Sequence, residues 1–523
     1  MATHFTLSLS PSKPFKNSTF FTKNPFLHFK KPLSITSFQS PQPAAAAAVQ
    51  TFWQWLSDQD VVSAKTPAKP GLVPQGLGLV AQRDISRNEV VLEIPKKLWI
   101  NPDVVAASEI GNVCSGLKPW VSVALFLIRE KFKEDSTWRP YLDVLPESTN
   151  STIFWSEEEL AELQGTQLLS TTLGVKSYLQ REFLKVEEEI LVPHKQLFTS
   201  PVTLDDFSWA FGILRSRSFS RLRGQNLVLI PLADLVNHSP DITIEDGVYE
   251  IKGAGLFSRD LIFSLRSPIS LKAGEQVLIQ YNLNMSNAEL AVDYGFIEAK
   301  SDRNMYTLTL QISESDPFFG DKLDIAETNG LGEIADFDIV LGNPLPPTLL
   351  PYLRLVALGG TDVFLLESIF RNTIWGHLEL PVSRANEELI CRVVRDACKS
   401  ALSGYHTTIE EDFSSNKASL MKNLIKKELD QVPFSDYSEQ STSLVTQGLS
   451  FPPDEKLKRK ELNPRLGIAV GIRAEEKKVL QQIDEIFKQR QSELDELEYY
   501  QERRLKDLGL VGEQGEIIFW ESK

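Results

Sequence analysis

The apolar positions of this chain change their spacing several times, and each change marks a different kind of element. Near the front, Thr51-Phe52-Trp53-Gln54-Trp55-Leu56 has the spacing of a short docking helix. Gln75-Gly76-Leu77-Gly78-Leu79-Val80-Ala81 and Val90-Val91-Leu92-Glu93-Ile94-Pro95 read as short strands punctuated by glycine and proline. From Pro119 to Arg217 the period lengthens to that of helices: Trp120 to Phe132, Val175 to Ile190 and Thr203 to Leu214. Ser156 is followed three residues on by Glu159, and Thr203 by Asp206, which is capping-box spacing. Strand-like runs return at Gly255-Leu256-Phe257, Ile262-Phe263-Ser264-Leu265 and Val277 to Tyr281, the last entered through the turn Lys272-Ala273-Gly274-Glu275. Ser286 then opens a helix by the same capping logic, and Tyr294-Gly295 closes it.

Beyond about Arg303 the pattern predicts helices throughout, over Leu349 to Leu358, Val363 to Ile369, Ala385 to Leu402 and Val479 to Leu508. The last carries Leu480, Ile483, Phe487, Leu494, Leu497 and Leu505 on one stripe, with Gly509 as a stop, and reads as core packing before a free coiled coil. Phe413 to Arg465 interrupts the pattern with Ser, Lys, Glu and Pro and a basic run from Lys456 to Lys460, so a flexible exposed insertion is expected there.

With 523 residues, two or three domains are the natural division. Three scattered cysteines, Cys114, Cys391 and Cys398, exclude a disulfide framework and a four-cysteine zinc site and suggest a reducing compartment. The apolar run Val123 to Ile128 is far too short to span a bilayer. From Met1 to Ser57 there is no Asp, Glu or Arg, while Lys13, Lys16, Lys23, Lys30 and Lys31 stand among Ser, Thr and Pro. That is the composition of an organelle transit peptide, and the lack of arginine points to the chloroplast rather than the mitochondrion. Cutting near Ala48 moves the formal charge from -15 to -20. Such a body is a poor nucleic-acid binder, because phosphate contacts need clustered Lys and Arg, and it suits a protein partner that presents lysine.

Two stretches carry candidate chemistry. Ile230-Pro231-Leu232-Ala233-Asp234-Leu235-Val236 is an apolar run that ends in Asn237-His238-Ser239, and Val277-Leu278-Ile279-Gln280-Tyr281 delivers a phenol at its end. Taken singly, each is explained by a buried strand that closes on a turn. Arg215-Ser216-Arg217-Ser218-Phe219-Ser220-Arg221 sets three arginines around an aromatic, and such arginines are ordinarily solvated. Gly76 and Gly78 let a backbone approach a ligand, but without a third glycine or a following helix a dinucleotide fingerprint is rejected.

In their order, Leu232 to Ser239, Ile279-Gln280-Tyr281, Asp293-Tyr294-Gly295-Phe296, Gly76 to Leu79 and Phe211 to Arg217 resemble the SET-domain protein-lysine methyltransferases, in the branch that acts on the Rubisco large subunit. The likeness runs from Thr51 to Tyr499-Tyr500-Gln501-Glu502-Arg503-Arg504 and departs at Phe413 to Arg465. It implies an α+β fold: a β-rich SET domain over residues 49–300 with a helical insert at about 112–216, then an all-α substrate-binding domain over 301–523. It implies S-adenosylmethionine (AdoMet) as co-substrate and no metal, with cofactor contacts from the backbone around Gln75, Gly76 and Leu77 and from Arg217, Asn237 and His238. Gln75 stands where some relatives carry an acidic side chain. The lysine channel would be lined by Arg217, Phe219, Arg221, Asp234, Tyr249, Tyr281, Tyr294 and Phe296, with Tyr281 as the catalytic residue. The implied partners are stromal proteins, the Rubisco large subunit or chloroplast fructose-bisphosphate aldolase, met by a monomer that binds neither nucleic acid nor membrane. The competing expectation is a catalytically weak SET protein that serves as a plastid scaffold.

Overall fold

The computed structural model describes residues 43–219, 227–245, 247–253, 261–370, 372–412, 414 and 464–510. The expected leader up to residue 42, the strand at Gly255–Phe257, Arg221 and nearly all of the Phe413–Arg465 insertion lie outside the described residues.

The chain is α+β. Among the described residues its first part contributes seven strands: β1 (Ala68–Val73), β2 (Gly76–Ala81), β3 (Val90–Pro95), β4 (Asn237–His238), β5 (Tyr249–Gly253), β6 (Leu261–Arg266) and β7 (Gln276–Ile279). They form two small sheets, ordered β1-β2-β7-β4 and β3-β6-β5. In the first, β1 and β2 make a hairpin around Pro74-Gln75, running in register from Ala68↔Ala81 to Val73↔Gly76. The free edge of β2 pairs with β7 at Leu79↔Val277. The far edge of β7 takes β4 in parallel, Asn237 opposite Leu278 and His238 opposite Ile279. A parallel pair needs a crossover, and here the chain supplies it by leaving for β5 and β6 in the other sheet. Residues 77–80, 237–238 and 276–279 are thereby laid side by side, although they are far apart in sequence.

Helices occupy most of the chain between β3 and β4. Pro119–Phe132 buries every residue from Val121 to Glu130, which matches its nearly all-apolar sequence. Capping boxes form at Ser156/Glu159, Thr203/Asp206 and Ser286/Glu289. One apolar core draws on residues from Phe52 to Ile279, and a second on residues from Tyr306 to Phe487. A third cluster joins Trp155, Leu160, Leu163, Leu168, Ala291 and Val292 to Ile468, Ala469 and Ile472 of a long helix, Pro464–Ser492. That helix therefore packs against both parts. All three cysteines are buried and free. No single helix among the described residues is long and apolar enough to cross a membrane.

Several local expectations are corrected. Ile230–Val236 is not a strand: Leu232 takes a left-handed φ of 76° and Ala233–Leu235 forms a 3-10 turn before β4. The second part is mostly helical but opens with a hairpin, β8 (Met305–Gln311) and β9 (Ile334–Val340), paired from Met305↔Val340 to Gln311↔Ile334. Their alternating burial is a period-2 pattern that a search for helices passed over. Val363–Ile369 makes 3-10 turns, Gly360–Leu366 and Ser368–Phe370. The helix foreseen at Val175–Ile190 starts earlier, at Gln167, and ends in a π-turn over Glu187–Leu191. The stripe from Val479 to Leu508 is split between Pro464–Ser492 and a short closing helix, Tyr500–Asp507. Leu494 is buried in the bend between them, so the apolar period continues while the backbone does not.

Candidate active site

The site begins with two consecutive residues on β4. Asn237 Nδ2 donates to the Leu77 carbonyl at 3.2 Å and to Gln276 Oε1 at 2.9 Å, so one amide ties β4 to both β2 and β7. Gln276 Nε2 in turn donates to Gln75 Oε1 at 3.3 Å. This cluster explains Gly78: a Cβ there would stand 2.5 Å from Gln276 Oε1 and 2.8 Å from Asn237 Nδ2.

His238 turns the other way. Its ring stacks on Phe296 with centroids 5.1 Å apart and lies 5.2 Å from the Tyr281 ring. Nδ1 accepts the Tyr281 backbone N–H at 3.3 Å, which leaves the ring proton on Nε2 to be donated to Glu298 Oε1 at 2.9 Å. Burial holds the imidazole pKa below its usual value against the pull of Glu298, with Arg303 and Lys300 adding to the depression. His238 is thus neutral with a fixed tautomer.

Tyr281 lies two residues past the end of β7. Its hydroxyl donates to the Val236 carbonyl at 2.9 Å, and its ring is 4.8 Å from Tyr294 and 6.5 Å from Phe296. Gly295 between those two aromatics has φ 78°. Burial pushes the Tyr281 phenol well above the ordinary tyrosine range, and the positive charge of Arg217 only partly opposes it. The group is a fixed dipole and not a base.

The third component sits just upstream. Arg217, the last residue of the Leu204–Arg217 helix, donates from Nη1 to the Asp234 carbonyl at 3.0 Å and to Asp234 Oδ2 at 3.4 Å. Tyr141 donates to the same Oδ2 at 2.9 Å. Burial raises the Asp234 pKa, and the Arg217 charge and the Tyr141 hydrogen bond oppose it. Asp234 Oδ1 is buried with no partner among the described residues. Arg215 is also paired, donating from Nε to Asp293 Oδ1 at 2.8 Å. The expectation of solvated arginines fails for Arg217, which is mostly withdrawn from solvent, and holds for Arg215, which stays half exposed beside its carboxylate.

Phe219, Tyr249 and Phe263 form a second aromatic cluster, with centroids 4.9 to 5.8 Å apart. Phe219 reaches it two residues beyond Arg217. The structure therefore brings Gln75, Gly76, Leu77 and Asn237 together on one side of β4. His238, Tyr281, Tyr294 and Phe296 lie on the other, Arg217 and Asp234 sit beside Tyr281, and Phe219 and Tyr249 stand in the neighbouring cluster. Sequence reasoning missed Tyr141, Gln276, Glu298 and Arg303, whose only signal is tertiary. Among the described residues, no group of three or more His, Cys, Asp or Glu is placed to hold a metal ion.

Comparison with known proteins finds close relatives along nearly the whole chain. The family described as Rubisco LSMT substrate-binding matches residues 313–480. The chain is 65% identical over 508 residues to the chloroplastic [fructose-bisphosphate aldolase]-lysine N-methyltransferase of Arabidopsis thaliana, covering 97% of this chain and 96% of that protein. It is 62% identical over 532 residues to the chloroplastic ribulose-1,5 bisphosphate carboxylase/oxygenase large subunit N-methyltransferase of Nicotiana tabacum, covering 100% of each. The crystal structure of the SET domain of LSMT bound to lysine and AdoHcy superposes with a TM-score of 0.77 at 61% identity, covering 90% of this chain and 97% of that one.

Proposed function

This chain belongs to the SET-domain protein-lysine N-methyltransferases of the Rubisco and aldolase type, and from that premise we propose that the wall shared by His238 and Tyr281 is where a lysine of a chloroplast protein is methylated. When bound, AdoMet supplies an electrophilic methyl group on a sulfonium. The residues present fit it, because the Asn237 amide and the Leu77 carbonyl meet beside Gly78, where the backbone carries no Cβ that would crowd them. The backbone at Gln75, Gly76 and Leu77 would hold it together with Arg217, Asn237 and His238. The lysine side would be formed by Tyr281, Tyr294, Phe296 and Asp234, with Phe219 and Tyr249 further out and Arg217 at the boundary; Arg221, outside the described residues, keeps only the role the resemblance implies.

The chemistry asked of the protein is orientation and desolvation. A free lysine has a pKa of about 10.4 and must arrive uncharged. Walls made of Tyr281, Tyr294 and Phe296 disfavour the ammonium form. The Tyr281 proton is engaged by the Val236 carbonyl, so the phenol oxygen presents lone pairs to the amine and its neighbouring C–H groups. A phenol held in its neutral form serves that role over the whole physiological range. The single observation that carries the reading is the direct linkage of the Asn237-His238 step to Tyr281 through His238 Nδ1.

The same reading covers place and organisation. We assign the mature enzyme to the chloroplast stroma, as a monomer made of a catalytic unit over 49–300 and a substrate-binding unit over 301–523, with the Rubisco large subunit and aldolase as candidate substrates. Processing near Ala48 is compatible with folding, because Phe52 and Leu56 of the Pro43–Asp58 helix are fully buried, Phe52 lying 6.0 Å from Tyr141. Incubating the mature protein with labelled AdoMet and stromal extract tests the proposal. Label on a lysine of either substrate supports it, and no label on any stromal protein favours the scaffold instead.

A further inference from the structure

The polar contacts around Tyr281 converge on one buried ion pair. Glu298 and Arg303 have side chains only 2% and 3% exposed and meet at 2.8 Å. Glu298 Oε1 takes the His238 Nε2 proton at 2.9 Å, which leaves Nδ1 free to accept the Tyr281 N–H. Arg303 works on the flanks: Nη1 donates to the carbonyls of Asn282 at 2.7 Å and Met285 at 2.6 Å, and Nη2 reaches Gln280 Oε1 at 3.4 Å. Arg303 therefore holds the residue before Tyr281 and the turn after it, while Tyr281's own backbone is held by His238, which Glu298 fixes. Glu298 is itself fixed, because Asn287 accepts its N–H and donates to its carbonyl, each at 2.8 Å. Asn287 also donates to Glu475 Oε2 of the long helix at 2.9 Å, so the frame reaches the second part of the molecule.

We propose that the Glu298–Arg303 pair is a positioning device for methyl transfer, setting the His238 tautomer and the reach of the Tyr281 phenol without touching either reactant. The inference rests on the reading of Tyr281 as the residue beside the amine. Stability alone is a poor reason for such a pair, since desolvation largely offsets the Coulomb attraction of buried ions. Glu298 Oε2 is moreover buried without a partner among the described residues, which a pair serving only stability has no reason to tolerate. Geometry is a better reason: a misplacement on the order of 1 Å in a reacting group is worth about 100-fold in rate.

The test uses the full-length mature chain and its Glu298→Ala, Glu298→Gln and Arg303→Lys variants. For each, kcat on a methylatable stromal protein, AdoMet affinity by calorimetry and thermal midpoint are measured, with [15N]histidine spectra to read the His238 tautomer. Glu298→Ala is expected to lower kcat by about 100-fold while AdoMet affinity stays within a few-fold of wild type. Glu298→Gln keeps an acceptor for His238 Nε2, so it is expected to recover at least a tenth of wild-type kcat and the wild-type tautomer. If Glu298→Ala does not fold, Arg303→Lys, which gives up the fork onto two carbonyls, is expected to show the same loss of kcat at unchanged AdoMet affinity. Wild-type kcat in Glu298→Ala or Arg303→Lys, or a loss matched by AdoMet affinity in every variant, would overturn the inference. Absence of turnover in the wild type would instead remove the assigned function, and the histidine spectra would still decide whether Glu298 sets the tautomer.

Discussion

The α-carbon of Gly78 and the side-chain amide of Asn237 face each other across β2 and β4 with no room for another atom: a Cβ at 78 would lie 2.8 Å from Asn237 Nδ2. Gly78→Ala must push away Asn237 and Gln276 together, the two amides that tie the strands. Overpacking of this kind is worth about 1–3 kcal/mol. The expected result is a lower thermal midpoint and an AdoMet affinity at least tenfold weaker by calorimetry. An alanine variant that binds AdoMet normally would show that the amide cluster does not shape the cofactor side.

Tyr281→Phe removes the hydroxyl bonded to the Val236 carbonyl and leaves the ring packed on Tyr294. Turnover is expected to fall by about 100-fold, the scale of losing one oriented polar group at a reacting centre. AdoMet affinity is expected to survive. Equal losses in both would place the phenol on the cofactor side.

Arg217 and Asp234 form a pair in which the carboxylate side chain is fully buried. Arg217→Ala leaves that charge uncompensated, at a cost of about 3–5 kcal/mol. In the double variant with Asp234→Asn the charge is gone, and most of the stability is expected to return. AdoMet affinity is not expected to return with it, because the arginine itself is absent. Thermal melts set beside calorimetry on the single and double variants separate the two effects.

Glu475 makes the stability of the molecule depend on pH. Burial pushes its carboxyl up to about 8 from 4.5, against the hydrogen bond from Asn287. Burial likewise raises its neighbour Glu476 to about 7, against the Tyr405 hydrogen bond. A group that binds its proton more tightly in the folded state stabilises fully below its unfolded pKa and loses that contribution as pH rises through the folded one. The thermal midpoint is therefore expected to fall between about pH 5 and pH 8.5, by an amount equivalent to several kcal/mol. Glu475→Gln is expected to flatten the slope, and a midpoint that rises over this window would contradict the assignment.

Gly295→Ala tests the left-handed corner between Tyr294 and Phe296. The backbone there has φ 78°, and a Cβ would come within 2.3 Å of the Ser151 nitrogen. Backbone strain alone is worth about 1–3 kcal/mol, and the clash with main chain adds to it. A large drop in thermal midpoint is expected, with turnover lost in proportion to the folded fraction.

The sequence by itself determined what short-range chemistry decides. Ser156, Thr203 and Ser286 each announce a helix start because their partners lie three residues on, and Gly295 announces a stop because only glycine accepts its φ cheaply. The Asn237-His238 step and Tyr281 were also legible as polar ends of apolar runs. The tertiary structure alone decided their meeting, through the parallel pairing of β4 with β7. Only the fold could bring Tyr141 to Asp234, 93 residues away, or Glu298 to His238, 60 residues away. The left-handed Leu232 and the bend that splits the final apolar stripe belong to the same class. Periodicity records which face of an element is buried but not what it is buried against, and a hydrogen bond between distant residues leaves no trace in local spacing.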